Sequence, residues 1–143
     1  MYSLLKMYLS REDYNLYSVY VKNSMKEDDY VEFEELKYKV QNEGFESWWL
    51  INDVEILGWC GLSEKSIYYE GAKHLYGGCI FPKNRKKGFG TKLWTLRMEK
   101  IKGTPITVSI QPDNEYSLKI AEKLNFKPLG KSGIWNNFIY MNN

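Results

Sequence analysis

The segment that decides the fold reads IFPKNRKKGFGTKL over residues 80–93. It begins as the end of a predicted strand, which Pro82 terminates, and it continues through a basic loop into a helix. A helix that starts at Gly88 leaves backbone N–H groups unpaired and carries partial positive charge there. Gly88 and Gly90 would let a ligand approach the backbone closely. Four basic residues lie around the same point: Lys83, Arg85, Lys86 and Lys87. Together these features predict a cradle for phosphate.

Three better-known motifs are absent from this chain. A dinucleotide fingerprint needs a third glycine where Leu93 stands, and no P-loop string occurs. The glycines at Gly130 and Gly133 lack the spacing of a nucleophile elbow. The phosphate ligand is therefore neither a simple dinucleotide nor a P-loop nucleotide.

Hydrophobic periodicity and turn signals predict the remaining elements. The predicted strands are 2–9, 45–51, 54–62, 74–81, 106–110, 126–130 and 134–141, and the predicted helices are 11–24, about 28–42, 89–102 and 114–125. Asn52-Asp53 is a turn signal that joins the second and third strands as a hairpin, and Asp28 or Asp29 is the predicted cap of the second helix. The predicted fold class is α/β (mixed α+β). It is a mostly antiparallel sheet of six to seven strands with helices on both faces and a right-handed crossover over 74–110.

Composition limits the possible classes of protein. The 143 residues predict a single domain over 1–143. The net charge is +2, but residues 1–70 carry −7 and residues 71–143 carry +9. This balance disfavours a nucleic-acid partner. Two cysteines and one histidine cannot build a zinc site, so no metal is expected. Because no apolar run is long enough for a membrane span and no cleavage site follows the N-terminus, the sequence predicts a cytoplasmic protein without a membrane partner.

The spacing Arg85-x-x-Gly88-x-Gly90, after a strand and before a helix, resembles the signature of the GNAT superfamily of acetyl-CoA-dependent N-acetyltransferases. That signature is [Gln/Arg]-x-x-Gly-x-[Gly/Ala]. A second match lies downstream, where Asn114, Ser117 and Asn125-Phe126 stand at the family's offsets. The resemblance covers roughly residues 45–143.

The resemblance implies acetyl-CoA as cosubstrate and a central strand pair that diverges, between 77–81 and 106–110. Backbone groups of the first strand would pair with the pantetheine arm, and the loop and helix start would hold the pyrophosphate. The implied cofactor-binding residues are Ile80, Phe81, Arg85, Lys86, Lys87, Gly88, Phe89, Gly90, Thr91, Asn114 and Ser117. The competing interpretation of Asn114 is a helix cap alone.

The chain departs from the family at the residue that protonates the leaving thiolate. Many members have a tyrosine seven residues after the asparagine, and here that position is Ala121. A thiol with a pKa near ~8.5 is a fair leaving group unaided. Ser117 or Tyr140 is the predicted substitute.

The general base predicted from the resemblance is His74. In histone-type members a glutamate stands eleven residues before the motif, and that position here is the only histidine of the chain. Imidazole is suited to accept a proton at neutral pH. The competing interpretation is a solvent-exposed histidine after the turn at 71–73, with Glu70 and Tyr76 as other candidate bases.

The predicted function is transfer of an acetyl group from acetyl-CoA to a primary amine, by direct attack in a ternary complex, in a monomer or homodimer. The acceptor is a small cationic amine or a protein amine. The acidic residues within 27–35 favour a cation, although such a run is most often a solvated helix face. Two alternatives stay open. One is a catalytically silent module that binds acetyl-CoA, suggested by Ala121. The other is an interaction module that uses the basic patch at 83–92.

Overall fold

The computed structural model describes residues 1–6 and 25–142. Its strands are β1 (Ser3–Lys6), β2 (Glu46–Ile51), β3 (Ile56–Ser63), β4 (Lys73–Ile80), β5 (Ile106–Ile110), β6 (Lys127–Ser132) and β7 (Trp135–Tyr140). Its helices are α1 (Glu27–Glu43), α2 (Phe89–Lys100) and α3 (Glu115–Lys123), and a 3₁₀ turn spans Pro82–Asn84. The helix predicted over 11–24 and the end of the strand predicted over 2–9 lie outside the described residues.

The seven strands form one sheet in the order β1-β2-β3-β4-β5-β7-β6. Every neighbouring pair is antiparallel except β4 and β5, which run parallel because α2 connects them as a crossover. The predicted fold class, with its mostly antiparallel sheet, is therefore confirmed.

The helices cover both faces of the sheet. On one face, Phe33 and Leu36 of α1 pack against Trp49 and Trp59, and the rings of Phe33 and Trp59 meet edge to face at 5.5 Å. On the other face, α2 and α3 bury a larger apolar cluster against the sheet. Its members include Leu50, Leu62, Leu93, Trp94, Ile120 and Phe126. Burial of these side chains, at about 1.5–3 kcal/mol each, holds the helices to the sheet.

The parallel pair β4–β5 stays together only at its beginning. The paired residues are Lys73 with Ile106, His74 with Thr107 and Leu75 with Val108. Beyond Leu75, β4 continues to Ile80 while paired only with β3. The predicted divergence of the two strands is thus confirmed, and we call the gap beyond Leu75 and Val108 the slot.

Local predictions hold with small corrections. The hairpin turn is confirmed, because Oδ1 of Asn52 accepts hydrogen bonds from the backbone N–H groups of Val54 and Glu55, each at 2.8 Å. The predicted cap of α1 at Asp28 or Asp29 is wrong. The helix begins at Glu27, its N-cap position is Lys26, and both aspartates lie inside the first turn, where the helix dipole favours acids.

Within the part of the chain that the structure describes, no helix is both long and apolar enough to cross a membrane.

Gly58→Ala tests how closely β3 and β4 approach beside the slot. A Cβ at Gly58 would overlap the carbonyl oxygen of Cys79 and lie 3.0 Å from Cα of Ile80, and neither backbone atom can yield without shifting β4. We expect a loss of about 3 kcal/mol in the free energy of unfolding by urea. Gly44→Ala is the control, since its Cβ meets nothing and only the left-handed φ of 72° opposes it, at about 1 kcal/mol. Equal losses in the two variants would refute the close approach.

Candidate active site

The start of α2 is an open helix N-terminus. Gly88 occupies the N-cap position at φ 80°, and no side chain caps the helix. The first intrahelical bond there runs from Lys92 N–H to the Gly88 carbonyl at 3.3 Å, so the N–H groups before it have no partner within the helix. A Cβ at Gly88 would meet nothing within 4 Å. This combination suits an anion.

The basic residues of the loop divide into two groups. Lys83 pairs with Glu55 at 2.9 Å, and Arg85 pairs with Asp29 at 2.6 Å. Lys86 and Lys87 are exposed beside Gly88 and form no salt bridge with any described residue. Lys86 and Lys87 are therefore the positive side chains that can meet a ligand at the helix start.

Arg85 is committed to the protein itself. Its Nε donates to the Ile80 carbonyl at 2.8 Å, and its backbone N–H donates to the Pro82 carbonyl at 3.3 Å. Its side chain would reach the predicted pyrophosphate only by giving up its bonds to Ile80 and Asp29. Its observed contacts instead anchor the loop to β4 and α1.

The N-terminus of α3 faces the start of α2. Oδ1 of Asn114 accepts the Ser117 N–H at 3.1 Å, so Asn114 is a helix cap whatever else it binds. The ring of Tyr116 lies over Gly90, where a Cβ would come within 2.8 Å of its Cε1. Glycine at position 90 therefore makes room for a tyrosine that the sequence analysis did not single out.

The side of β4 that faces away from β3 carries the backbone groups of Ile80. Phe81 N–H donates to the Leu57 carbonyl at 2.9 Å, which directs Phe81 towards β3. Since successive residues of a strand direct their polar groups to opposite sides, the N–H and carbonyl of Ile80 point away from β3. The carbonyl already accepts from Arg85, so the N–H of Ile80 is the group that can meet a ligand. The structure thus favours Ile80 over Phe81 among the two residues predicted to pair with a pantetheine arm.

A bulge in β4 lies at the inner end of the slot. The register between β3 and β4 shifts between Cys60 and Gly61, opposite Gly77, which has φ 62°. Arg97 of α2 holds this bulge from below, because its Nη1 donates to the carbonyls of Gly77 at 2.7 Å and Gly61 at 3.1 Å. Such a bulge ends regular pairing and re-aims the strand.

Arg97 is a buried cation that sequence reasoning missed. It is 3% exposed, its Nε has no partner among the described residues, and burial lowers its pKa. The sequence could have identified it, because Arg97 falls on the same helical face as Gly90 and Leu93, which is the buried face of α2. A charge on an apolar stripe marks a position where the backbone requires a donor.

His74 lies in the paired part of β4, before the slot begins. Its Nδ1 is 2.8 Å from Oγ1 of Thr107, which also contacts Ser66 Oγ at 2.5 Å. Burial, and secondarily the charge of Arg97, lowers the pKa of His74 to about 4, so the ring is neutral at pH 7 and a weak base. Its role as general base stays a prediction, and these contacts do not favour it.

The remaining predicted residues lie near the slot or in the core. Ser117 is half-buried in the first turn of α3, and Ala121 is 1% exposed in the main core. The ring of Tyr140 lies tilted against that of Phe126, with the ring centroids 5.4 Å apart. Cys79 is a core residue that is 5% exposed, and burial, first of all, raises its pKa to about 12. The protonating role predicted for Ser117 or Tyr140 stays a prediction.

The fold and site together suit a class of protein that could hold a phosphate-bearing chain between two diverging strands, with the phosphate at a glycine-opened helix. A profile of the Acetyltransferase (GNAT) family matches residues 8–126, and the chain therefore belongs to this family. It is an acyltransferase of the acetyl-CoA-dependent kind. No curated protein matches it.

Several solved structures share the fold. An acetyltransferase from Thermus thermophilus aligns with TM-score 0.74 at 10% identity, covering 98% of this chain and 96% of that one. The N-acetyltransferase PseH of Campylobacter jejuni, solved in complex with acetyl coenzyme A, aligns with TM-score 0.67 at 14% identity over the whole of both chains. PH1933 from Pyrococcus horikoshii OT3 is 25% identical, with TM-score 0.58, and the match spans 71% of this chain but 66% of that one.

The residues present fit the family's cosubstrate. The open amides before Lys92 with Lys86 and Lys87 suit a diphosphate. The N–H of Ile80, a residue that does not pair with β5, suits a carbonyl group of a pantetheine arm. No atom would lie within 4 Å of a Cβ at Gly88, so a ligand can approach the backbone there.

The pH dependence of the free energy of unfolding tests the environment of His74. Because its pKa falls from 6.5 to about 4 on folding, the unfolded chain binds a proton that the folded chain does not between these values. The free energy of unfolding is therefore highest above about pH 6.5, where neither state binds this proton, and it decreases as the pH falls towards 4. We expect the wild type to lose about 2 kcal/mol more than His74→Asn between about pH 7.5 and pH 5 in urea unfolding. Parallel pH profiles for the two proteins would contradict this.

Substitutions at Asn114 separate its capping role from a binding role. Asn114→Ala should lower the free energy of unfolding by about 1 kcal/mol, whereas Asn114→Ser retains a cap and most of the stability. If the amide also binds the cosubstrate, the dissociation constant of acetyl-CoA rises in both variants. If Asn114→Ser binds acetyl-CoA as tightly as the wild type, Asn114 is a cap only.

Proposed function

We propose that this protein transfers the acetyl group of acetyl-CoA to a primary amine, with a small cationic amine as the favoured acceptor. The observation that carries the proposal is the slot between β4 and β5, which opens directly towards the uncapped start of α2. Acetyl-CoA supplies the activated acetyl thioester. The only other reactant is the amine, whose nitrogen lone pair attacks the thioester carbonyl.

The acceptor class is supported by the charge of α1. Three acids of this helix, Asp29, Glu32 and Glu35, contact or face the β4 side, because Asp29 binds Arg85, Glu35 binds Tyr76, and Glu32 lies beside Gly77. Glu27 and Asp28 are exposed. An acidic wall along the slot attracts a cation and repels an anionic acceptor.

The matched structures are consistent with an amine acceptor. One of them is a chimera of a spermidine N-acetyltransferase from Vibrio cholerae, with TM-score 0.67 at 14% identity, covering 99% of this chain and 95% of that one. At this identity the likeness shows the fold alone. Because that protein acts on spermidine, polyamines are included among the amines tested below as acceptors.

Each cofactor residue has a proposed task. The N–H groups at Gly88, Phe89, Gly90 and Thr91 bind the diphosphate, Lys86 and Lys87 neutralise it, and Ile80 pairs with the arm. Asn114 and Ser117 line the opposite wall. Location in the cytoplasm, a single domain over 1–143 and a monomeric or dimeric state stay predictions.

A catalytically silent acetyl-CoA-binding module is the second candidate, and Ala121 is the observation that favours it. No tyrosine stands where many family members protonate the thiolate. The nucleic-acid alternative has less support, because two of the four basic side chains within 83–87 are held by Glu55 and Asp29.

The deciding experiment measures thiol release from acetyl-CoA with a panel of polyamines, amino sugars, amino acids and lysine-containing peptides. We expect release that depends on a small cationic amine, with the N-acetylated product seen by mass spectrometry. Binding of acetyl-CoA with no release across the panel would favour the silent module. Failure to bind acetyl-CoA would refute both.

The two exposed lysines give a direct test of the diphosphate site. The double variant Lys86→Ala/Lys87→Ala should weaken acetyl-CoA binding by about tenfold or more, about 1.4 kcal/mol, and less at high salt. Lys123→Ala, an exposed lysine at the end of α3, is the control. Titration calorimetry at two salt concentrations measures both, and equal affinities would remove the lysines from the site.

A further inference from the structure

Two consecutive glycines of β4, Gly77 and Gly78, lie immediately beyond the last β4–β5 pair. A Cβ at Gly77 would lie 3.2 Å from Oε1 of Glu32, and a Cβ at Gly78 would lie 3.3 Å from Nη2 of Arg97. A carboxylate from α1 and a guanidinium from α2 thus flank the bulge from opposite faces of the sheet. A ligand that extended from Gly88 along β4 past the N–H of Ile80 would end between them.

Glu32 differs from the other two acids on its side of α1. Asp29 is paired with Arg85, and Glu35 accepts a hydrogen bond from the Tyr76 hydroxyl at 3.4 Å. Within residues 1–6 and 25–142, the carboxylate of Glu32 forms no hydrogen bond or salt bridge. It is therefore the acid in this row with free capacity for an incoming donor.

We infer that Glu32 receives the acceptor ammonium and takes its proton, which makes Glu32 the general base of the transfer. The inference rests on the proposed function and deepens it. It replaces His74, whose ring nitrogen is engaged with Thr107 in the paired part of the strands.

The proton and electron balance of the step is complete. The ammonium R–NH₃⁺ gives one proton to the Glu32 carboxylate, and the freed lone pair forms a bond from nitrogen to the acetyl carbon. The carbon–sulfur bond breaks, and its electron pair leaves with sulfur. A second proton passes from nitrogen to that thiolate, giving a thiol, and Glu32 returns its proton to solvent.

The surroundings of Glu32 set its protonation. Burial first of all, with the charges of Asp29 and Glu35, raises its pKa to about 7, and Arg97 opposes them. Tyr76 and Cys79 of β4 stay neutral, because burial raises the pKa of each, and Arg85 stays charged. As the pH rises through about 7, Glu32 ionises, so kcat should rise with pH over the same range. We call this rise the pH limb.

The experiment compares the wild type with Glu32→Gln, His74→Asn and the charge-matched control Glu122→Gln, an exposed residue of α3. At pH 7 and saturating acetyl-CoA, Glu32→Gln should lower kcat by about 10²-fold, while the dissociation constant of acetyl-CoA is unchanged. The rise of kcat with pH near pH 7 should disappear in Glu32→Gln. Activity should return partly at high pH, where the amine arrives already neutral.

A readout independent of turnover is the carboxyl ¹³C signal of labelled glutamate. One resonance should titrate near pH 7 in the wild type and in Glu122→Gln, and it should be missing in Glu32→Gln. The variant should also melt at a higher temperature than the wild type above pH 7, because it lacks a buried charge that costs stability there.

The outcomes separate the two levels of the proposal. If the wild type acetylates an amine and Glu32→Gln keeps its kcat and pH limb, or only its KM rises, Glu32 is not the base. Loss of the limb in His74→Asn instead would assign the role to His74. If the wild type acetylates no amine in the panel, the proposed function itself fails, and the inference fails with it.

Discussion

The structure depends on β4 leaving β5 after three residue pairs. A parallel pair in the middle of a sheet ordinarily continues, since each abandoned backbone group loses a hydrogen bond. Here the bulge at Gly77 turns the strand, and Arg97 supplies donors to the carbonyls of Gly77 and Gly61. The cost of burying a guanidinium is thus offset by the hydrogen bonds that hold the sheet open.

Everything in the site is placed relative to that opening. The loop after β4 is tied back by Arg85 to Ile80 and Asp29, which fixes the direction in which α2 starts. From the helix start back along β4, the order is then the open amides of α2, the N–H of Ile80 and the bulge at Gly77. A long, phosphate-bearing thioester matches this order, and the acidic wall of α1 lies at the end where the acyl group would be delivered.

The sequence predicted most of the fold, whereas the location of the site stays a prediction. Period-two and helical patterns predicted β5 to the residue and most other elements to within three, because each buries one face. The loop at 80–93 predicted a phosphate cradle, since glycines and lysines before a helix have a local physical meaning, and the structure has an uncapped helix start there. Phosphate binding at this point stays a prediction. The cap at Asp28 or Asp29 was wrong, because an acid suits the first turn as well as the cap.

The tertiary contacts that define the catalytic end could not be predicted in the same way. Glu32 was one acid among several on α1, and only its place beside Gly77 distinguishes it from the ion-paired Asp29. His74 was chosen by its offset from the motif, and the pairing with Thr107 shows that the offset leads to the closed part of the strands. Arg85 matched the motif, yet its partners lie within the protein.

The central claim is that the amides at the start of α2 and the edge of β4 bind one continuous ligand. Backbone amide NMR during a titration with coenzyme A tests this most directly. The account predicts that the signals of Gly88, Phe89, Gly90, Thr91 and Ile80 shift together with one dissociation constant. Shifts confined to other parts of the chain, or saturation at Gly88 with none at Ile80, would contradict it.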